Sequence, residues 1–328
     1  MTCRTSWASA RRDRTGVNGD QVSRGIALRI CAAGSFSVMA ALLKLSSADD
    51  VAAPEMVFYR AFFGLPVVVV WVLMTQGGWK GALQALTPRR PSAHVLRSIL
   101  GVSSIFCVFQ ALSLLPLADA TTLSFTAPIF ATILSFFLLR EQVGVRRWGA
   151  VAVGFLGVLI VTRPFPGLDG EADHVLPVAG VGFGLMAALL TAGVTITLRQ
   201  LGRTEHVAAI VFWFFVACSV AGALTLPFVG RMHAPGTFAL LAGAGVAGGL
   251  GQLFMTASLQ NAPVSVVAPF DYLQIVGAIL FGWWLLHTPP TVSTLAGAAL
   301  IASGGLYTAW REHVLRRQAL IQPTPPPV

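Results

Sequence analysis

The chain has 328 residues, of which 55% are hydrophobic and only 11% charged, with a mean hydropathy of +0.75. A soluble domain carries about 25% charge, so this composition excludes water as the main solvent and points to lipid. The net charge of +9 does not indicate nucleic acid, because the cations sit in short gaps between apolar runs and in the tails, where anionic headgroups attract them.

Residues 1–24 form a basic arm read as disordered and cytoplasmic. Ten apolar segments follow, each near the ~20 residues that cross a hydrocarbon core of ~30 Å. They are 25–45, 54–75, 93–115, 118–139, 147–163, 176–198, 206–229, 236–259, 262–286 and 291–312. The arm, the run Ile30 to Leu43 and Ser46-Ser47-Ala48 together resemble a cleaved leader. Its loss would leave nine helices and send the Arg-rich C-terminus outside, so segment 1 is read as retained. The gap 76–92, rich in Gly and Pro, reads as a loop. Residues 164–175, opening Pro-Phe-Pro-Gly-Leu-Asp-Gly-Glu, read as an external linker between halves. Residues 313–328 read as a cytoplasmic Pro-rich tail.

The cations alternate. One set of faces holds the arm with Arg29, then Lys80, Arg89, Arg90 and Arg97, then Arg140, Arg146 and Arg147, then Arg199 and Arg203, then Arg311, Arg316 and Arg317. The other faces hold Lys44, Arg60, Arg163 and Arg231, a split of 18 against 4 that accounts for all 22. Asp49, Asp50, Glu55, Asp119, Asp169, Glu171 and Asp173 fall on the poorer side. Lys and Arg accumulate in cytoplasmic loops, so both termini are expected in the cytoplasm.

The halves are related at an offset of 147 residues. Leu112, Pro116, Ala131, Leu138, Leu139, Gly157 and Leu159 meet Leu259, Pro263, Ala278, Leu285, Leu286, Gly304 and Leu306, and Phe125 meets Tyr272. Five helices per half is an odd number, so the second half enters from the opposite side. The predicted fold is an all-α integral membrane protein of ten transmembrane helices in two inverted five-helix repeats, 25–163 and 176–312. In that architecture the solute site lies near the midplane between repeats.

Ionisable groups inside a span are candidates for function. Lys44 ends segment 1 and is expected to snorkel to the interface. Arg60 lies six residues past Pro54, about 9 Å deep, and either faces a site, pairs internally or snorkels. Asp271 lies nine residues into segment 9, about 13 Å deep. It can serve as proton carrier, as counter-ion to a solute, or as structural partner of Arg60, and Pro269 beside it loosens the helix. Tyr59, Gln110, Phe125, Thr126, Gln252, Tyr272 and Gln274 complete the predicted substrate-binding set. The glycines of segment 8, from Gly243 to Gly251, serve close packing or a pliable helix. Cys3, Cys31, Cys107 and Cys218 show no metal or disulfide spacing. No phosphate loop or catalytic constellation is present, so neither enzyme activity nor a cofactor is expected.

Several stretches together resemble the EamA family of the drug/metabolite transporter superfamily. These are Pro54-Glu-Met-Val-Phe-Tyr-Arg60, Ala111-Leu-Ser-Leu-Leu-Pro-Leu-Ala-Asp-Ala-Thr-Thr-Leu-Ser-Phe-Thr-Ala-Pro128, Leu139-Arg-Glu141, Arg147-Trp-Gly149, Gly154-Phe-Leu-Gly-Val158 and Val266-Val-Ala-Pro-Phe-Asp-Tyr272. The resemblance spans 25–312 and implies a ten-helix inverted-repeat carrier of a bacterial inner membrane, moving amino acids, nucleosides, vitamins or other small metabolites. Where that family often has Gly-Glu after helix 9, this chain has His287-Thr288. The function expected is a secondary carrier of a small organic metabolite working by alternating access, with membrane lipid as its surroundings. Proton coupling, solute exchange and a homodimer are each compatible with it. The alternative is a membrane-embedded sensor or enzyme without transport.

Overall fold

The computed structural model describes residues 19–138, 145–162, 176–201, 204–262 and 264–321. Among them there are helices and connections but no strand. The elements are α1 (Gly19–Ser47), α2 (Ala53–Thr75), α3 (Trp79–Leu86), α4 (Pro91–Leu114), α5 (Leu117–Ser124), α6 (Ala127–Leu138) and α7 (Val145–Thr162). Then come α8 (Val178–Leu201), α9 (Val207–Val229), α10 (Pro235–Asn261), α11 (Val264–Val267), a 3-10 turn (Ala268–Tyr272), α12 (Leu273–Trp284) and α13 (Val292–Ile321). Among the described residues, seven helical spans are long and apolar enough to cross a membrane, one of them the run Leu117–Leu134 across α5 and α6, and Trp148–Thr162 and Val292–Tyr307 are shorter apolar helices. A 23-residue helix such as α2 spans about 35 Å, enough for the core with some tilt.

Several boundaries differ from those read in the sequence. α1 begins at Gly19, inside the expected arm, and α13 continues to Ile321, inside the expected tail. The arm's residues 1–18, the linker 164–175 and the motif residues Leu139, Arg140 and Glu141 lie outside the described residues. The gap 76–92 contains α3, because Ala82 and Ala85 recur three apart and are buried while Trp79 and Leu83 stay exposed. Trp213 at the start of α9 donates its indole N–H to the Leu86 carbonyl at 2.8 Å and so holds the end of α3. Segments 118–139 and 262–286 are not single helices. The first is broken between α5 and α6, and the second is divided into α11, the 3-10 turn and α12.

Glycine sets how closely the helices approach. A Cβ at Gly245 of α10 would lie 2.6 Å from Phe63 Cβ, and one at Gly249 would lie 3.1 Å from the Gly64 carbonyl of α2. Gly251 faces Phe36 and Gly243 faces Leu42 of α1. The dense glycines of segment 8 therefore seat α10 against both α1 and α2, as small residues do where lipid supplies no hydrophobic drive. α7 and α13 meet through a paired contact. A Cβ at Gly157 would lie 2.8 Å from Ile301 and 2.9 Å from the Gly297 carbonyl, and one at Gly304 would lie 3.0 Å from the Ala150 carbonyl and 3.7 Å from Gly154. Positions 150, 154 and 157 correspond to 297, 301 and 304 at the 147 offset, so the two contacts exchange roles. Outward positions such as Leu224, Phe228 and Trp284 are exposed, which suits hydrocarbon and would be a liability in water.

Candidate substrate site

The two helix breaks meet. Pro128 lacks the N–H that would continue α5 into α6, and Phe125 and Thr126 occupy the gap. The Thr126 hydroxyl, 1% exposed, donates to the Leu123 carbonyl at 2.7 Å, so it serves the break and is spent there. In the second break Pro269 sits in the 3-10 turn. The rings of Phe125 and Tyr272, equivalent at the 147 offset, lie 5.1 Å apart and tilted by 37°. The Tyr272 hydroxyl occupies the space where a Cβ of Gly305 would sit.

Asp271 lies one residue from that contact, and its partner is Arg29 of α1. Nε donates to Oδ1 at 2.6 Å and Nη2 to Oδ2 at 2.5 Å, a fork-to-fork arrangement. Arg60 is not the partner. The sequence places Arg29 among loop cations because the apolar periodicity begins at residue 25. α1 in fact starts at Gly19, which carries Arg29 ten residues in, about 15 Å along the helix. Its Nη1 is buried with no partner.

Arg60 occupies a separate cluster. It is 4% exposed, its Nε lies 3.3 Å from Met39 Sδ, and its guanidinium carbon lies 5.3 Å from the centre of the Phe215 ring. Gly248 of α10 leaves room for both side chains. Met39 is ten residues beyond Arg29 on α1, so the two clusters are separated by about 15 Å along the helix. Tyr59 stacks with Phe63 and meets the edge of Phe238 of α10, between Arg60 and the end of the bundle that carries Asp49 and Asp50. Gln110, Gln252 and Gln274 are half-buried and make no hydrogen bond to a described residue. Five of the nine predicted residues thus fall into an Asp271–Tyr272–Phe125 group and an Arg60–Tyr59 group, and Thr126 and the three glutamines join neither.

Other polar groups that read as loop or interface residues turn inward. Lys44 does not snorkel. Its Nζ donates to the carbonyls of Leu112, Ser113 and Leu115 at 2.7, 3.3 and 2.8 Å and caps the C-terminus of α4. Asp119 is 6% exposed and accepts from the Thr294 hydroxyl at 2.6 Å. Glu55, at 1% exposure, accepts from the Arg231 backbone N–H at 2.8 Å and lies 2.6 Å from His233 Nε2. Glu205 accepts from the backbone N–H groups of Arg89 and Arg90 at 3.1 and 2.6 Å, with His94 at 3.4 Å. Burial pushes the Glu205 carboxyl up, but those two N–H groups and the facing His94 outweigh it and hold its pKa below the usual glutamate value. Arg97, counted with the cytoplasmic-face cations near the start of segment 93–115, is 7% exposed. Among the described residues no group of three or more His, Cys, Asp or Glu could hold a metal.

Comparison with known proteins gives the same family on both halves. The model of the EamA-like transporter family matches residues 23–163 and again 178–310. The chain is 31% identical over 286 residues to the pseudopaline exporter CntI of Pseudomonas aeruginosa, covering 86% of this chain and 94% of that one. It is 26% identical over 279 residues to the S-adenosylmethionine uptake transporter of Rickettsia conorii, covering 81% and 89%. It is 28% identical over 268 residues to the riboflavin transporter of Vibrio cholerae, covering 78% and 87%. One crystal structure superposes with a TM-score of 0.60 at 17% identity, over 89% of this chain and 99% of that one, a likeness of fold alone. The paired family match and the long apolar helices make this chain a multi-pass membrane protein belonging to the EamA-like transporter family of the drug/metabolite transporter superfamily.

Proposed function

We propose that this protein is a secondary carrier of a small organic metabolite, working by alternating access in a bacterial inner membrane with both termini in the cytoplasm. We further propose ten transmembrane helices in two inverted five-helix repeats. The observation that carries the reading is the meeting of two broken spans at Phe125 and Tyr272, beside an internal Arg29–Asp271 ion pair. Broken helices at membrane depth are tolerated where they are buried in protein or line a cavity, and paired breaks between repeats suit a solute site. The exchanged contacts of Gly157 and Gly304 support the twofold relation. The relatives' transport of pseudopaline, S-adenosylmethionine and riboflavin supports a solute of that general size, whether amino-acid-like, vitamin or nucleoside-like. Asp271 is then able to carry a proton only in a state where Arg29 has released it.

The test combines topology and flux. Reporter fusions after Gln76, Glu141, Glu205 and Arg317 should read cytoplasmic, and those after Asp50, Gly170 and Met232 external. Metabolite profiles of cells and medium with and without the gene should differ in a solute that the purified protein then moves into or out of proteoliposomes. A mixed topology, or correctly inserted protein that moves no solute, defeats the proposal.

A further inference from the structure

Among the described residues, two guanidiniums inside the bundle have no carboxylate partner. Arg60 and Arg97 are 4% and 7% exposed, and no ion pair among the described residues reaches either. Asp271 is taken by Arg29, Glu55 by Arg231 and His233, and Glu205 by the Arg89 and Arg90 backbone. Arg97 lies over the Phe214 ring at 4.2 Å, and its Nε and Nη1 are buried with no hydrogen-bond partner. Arg60 lies over the Phe215 ring. The two rings are neighbours on α9 with centroids 6.1 Å apart, so adjacent side chains of one helix floor both cations. The guanidiniums are close enough to act on one another and on the fully buried Cys218 one turn further along α9. The Ser219 hydroxyl beside it also lacks a partner.

Arg97 is not snorkelling. Helical side chains lean toward the N-terminus, which for α4 is the end with the basic loops. Arg97 runs the other way, and its Nη1 fills the place of a Cβ at Gly101, one turn deeper. Two buried cations with no counter-charge cost several kcal/mol apiece, and an aromatic face returns about 2 kcal/mol when desolvated. A guanidinium fork fits a carboxylate through two parallel hydrogen bonds.

We infer that Arg60 and Arg97, floored by Phe214 and Phe215, form the anion-binding part of the solute site, and that the transported solute bears a carboxylate. This rests on the carrier reading and narrows its substrate class.

The test uses the full chain with Cys3→Ser, Cys31→Ser and Cys107→Ser, leaving Cys218 as the reporter between the two cations. Sulfonatoethyl and trimethylammonium-ethyl methanethiosulfonates, anionic and cationic, are reacted with it, each rate normalised to that with a free thiol. The anionic reagent should be favoured about tenfold or more, the effect of one nearby charge in a medium of low dielectric. Arg60→Gln and Arg97→Gln should bring the ratio toward one, while Arg97→Lys, which keeps the charge, should retain a preference. Benzoate and succinate should slow labelling in the protein with both arginines, and neutral benzamide should not. Preference for the cationic reagent, an unreactive Cys218, or equal protection by benzamide overturns the proposal. Protection by inorganic phosphate but not by the carboxylates overturns the carboxylate assignment. Flux in proteoliposomes separates the two readings. Solute movement with no anionic preference sinks the anion site alone, and carboxylate protection without flux sinks the carrier alone.

Discussion

The bundle is tied at its two ends by similar devices that differ in their hydrogen-bond donors. At the end carrying Asp49 and Asp50, Glu55 at the start of α2 grips the segment leading into α10 through Arg231 N–H and His233. At the basic end, Glu205 at the start of α9 grips the segment leading into α4 through Arg89 and Arg90 N–H, with His94 alongside. Glu55 depends on a close imidazole. Glu205 depends on two backbone donors, and its His94, at 3.4 Å, is not aligned for a hydrogen bond. The acidic end also carries a shallow surface depression lined by Asp49, Asp50, His233 and Thr237. A separate tie, the Arg29–Asp271 pair, joins α1 to the broken span. Each end thus has a further carboxylate tie, Asp119 to the neutral Thr294 hydroxyl at the acidic end and Asp271 to the buried Arg29 guanidinium at the broken span.

The largest expected effect comes from removing the Arg29–Asp271 pair. Asp271→Asn leaves Arg29 buried with an uncompensated charge, and breaking such a pair costs roughly 3–5 kcal/mol. Thermal stability in detergent should fall sharply and transport should be lost. The exchanged pair Arg29→Asp with Asp271→Arg should recover much of the stability if attraction between α1 and the 3-10 turn is what matters. Equal loss in single and exchanged variants would mean that packing, not charge, joins these elements.

The two ties should respond differently to loss of their histidines. His233→Ala removes a close partner of a fully buried carboxylate and should cost about 1.5–3 kcal/mol, the range for hydrogen bonds to charged groups. His94→Ala should cost less, since the backbone donors remain. Equal effects on the thermal midpoint would erase the distinction drawn between the ends.

Acid should act on the Glu205 tie with a definite sign. Its folded pKa is lowered, so its contribution is present in full above the ordinary glutamate value of about 4.3 and is lost as pH falls through the lowered one. The gap in thermal midpoint between the parent and Glu205→Gln should be constant from neutral pH down to about pH 5 and close only under stronger acid. A gap that closes near neutrality would assign the tie to His94 instead.

Hydrophobicity made the helices legible, and Pro128 and Pro269 marked the places where two of them break. Asp271 was legible as a costly acid in an apolar run. Its partner was not, because Arg29 and Arg97 carry the same charge as the loop cations beside them and the periodicity starts helix 1 six residues after Gly19. Lys44 misled for a related reason, since a carbonyl-capping role depends on where α4 ends in space. Taking Arg29 and Arg97 from one side of the charge count and Lys44 and Arg60 from the other leaves 16 against 2, so the asymmetry sharpens once the inward-turned cations are set aside. Glu55 and Asp119 lie at the very starts of the segments 54–75 and 118–139, and Glu205 lies in the gap before 206–229, all positions that read as membrane ends. Only tertiary packing shows that each is buried.

The smallest expected effect lies in the turns, where the ends differ again. Among the described residues, the left-handed positions of the connection after α2, at the basic end, are glycines, Gly77 at φ +70° and Gly78 at +97°. At the acidic end they are Asp50 at φ +57° and His287 at +52°. A side chain there crowds the following carbonyl at a cost of about 1–2 kcal/mol, which Asp and His tolerate better than most residues. His287 follows α12, where the family it resembles often has glycine. The turn itself is held by Thr288, whose N–H and hydroxyl reach the Gly282 carbonyl at 2.8 and 3.0 Å. Those bonds do not depend on the side chain at 287. His287→Gly should therefore relieve the crowding without loosening the turn, offset partly by the freer unfolded chain, for a net gain of about 0.5 kcal/mol. Gly77→Ala, the converse change at the other end, should cost about 1 kcal/mol. Thermal midpoints of the two variants in the same detergent should shift in opposite directions. A fall with His287→Gly would mean that the imidazole makes a contact at the acidic end that outweighs its backbone strain.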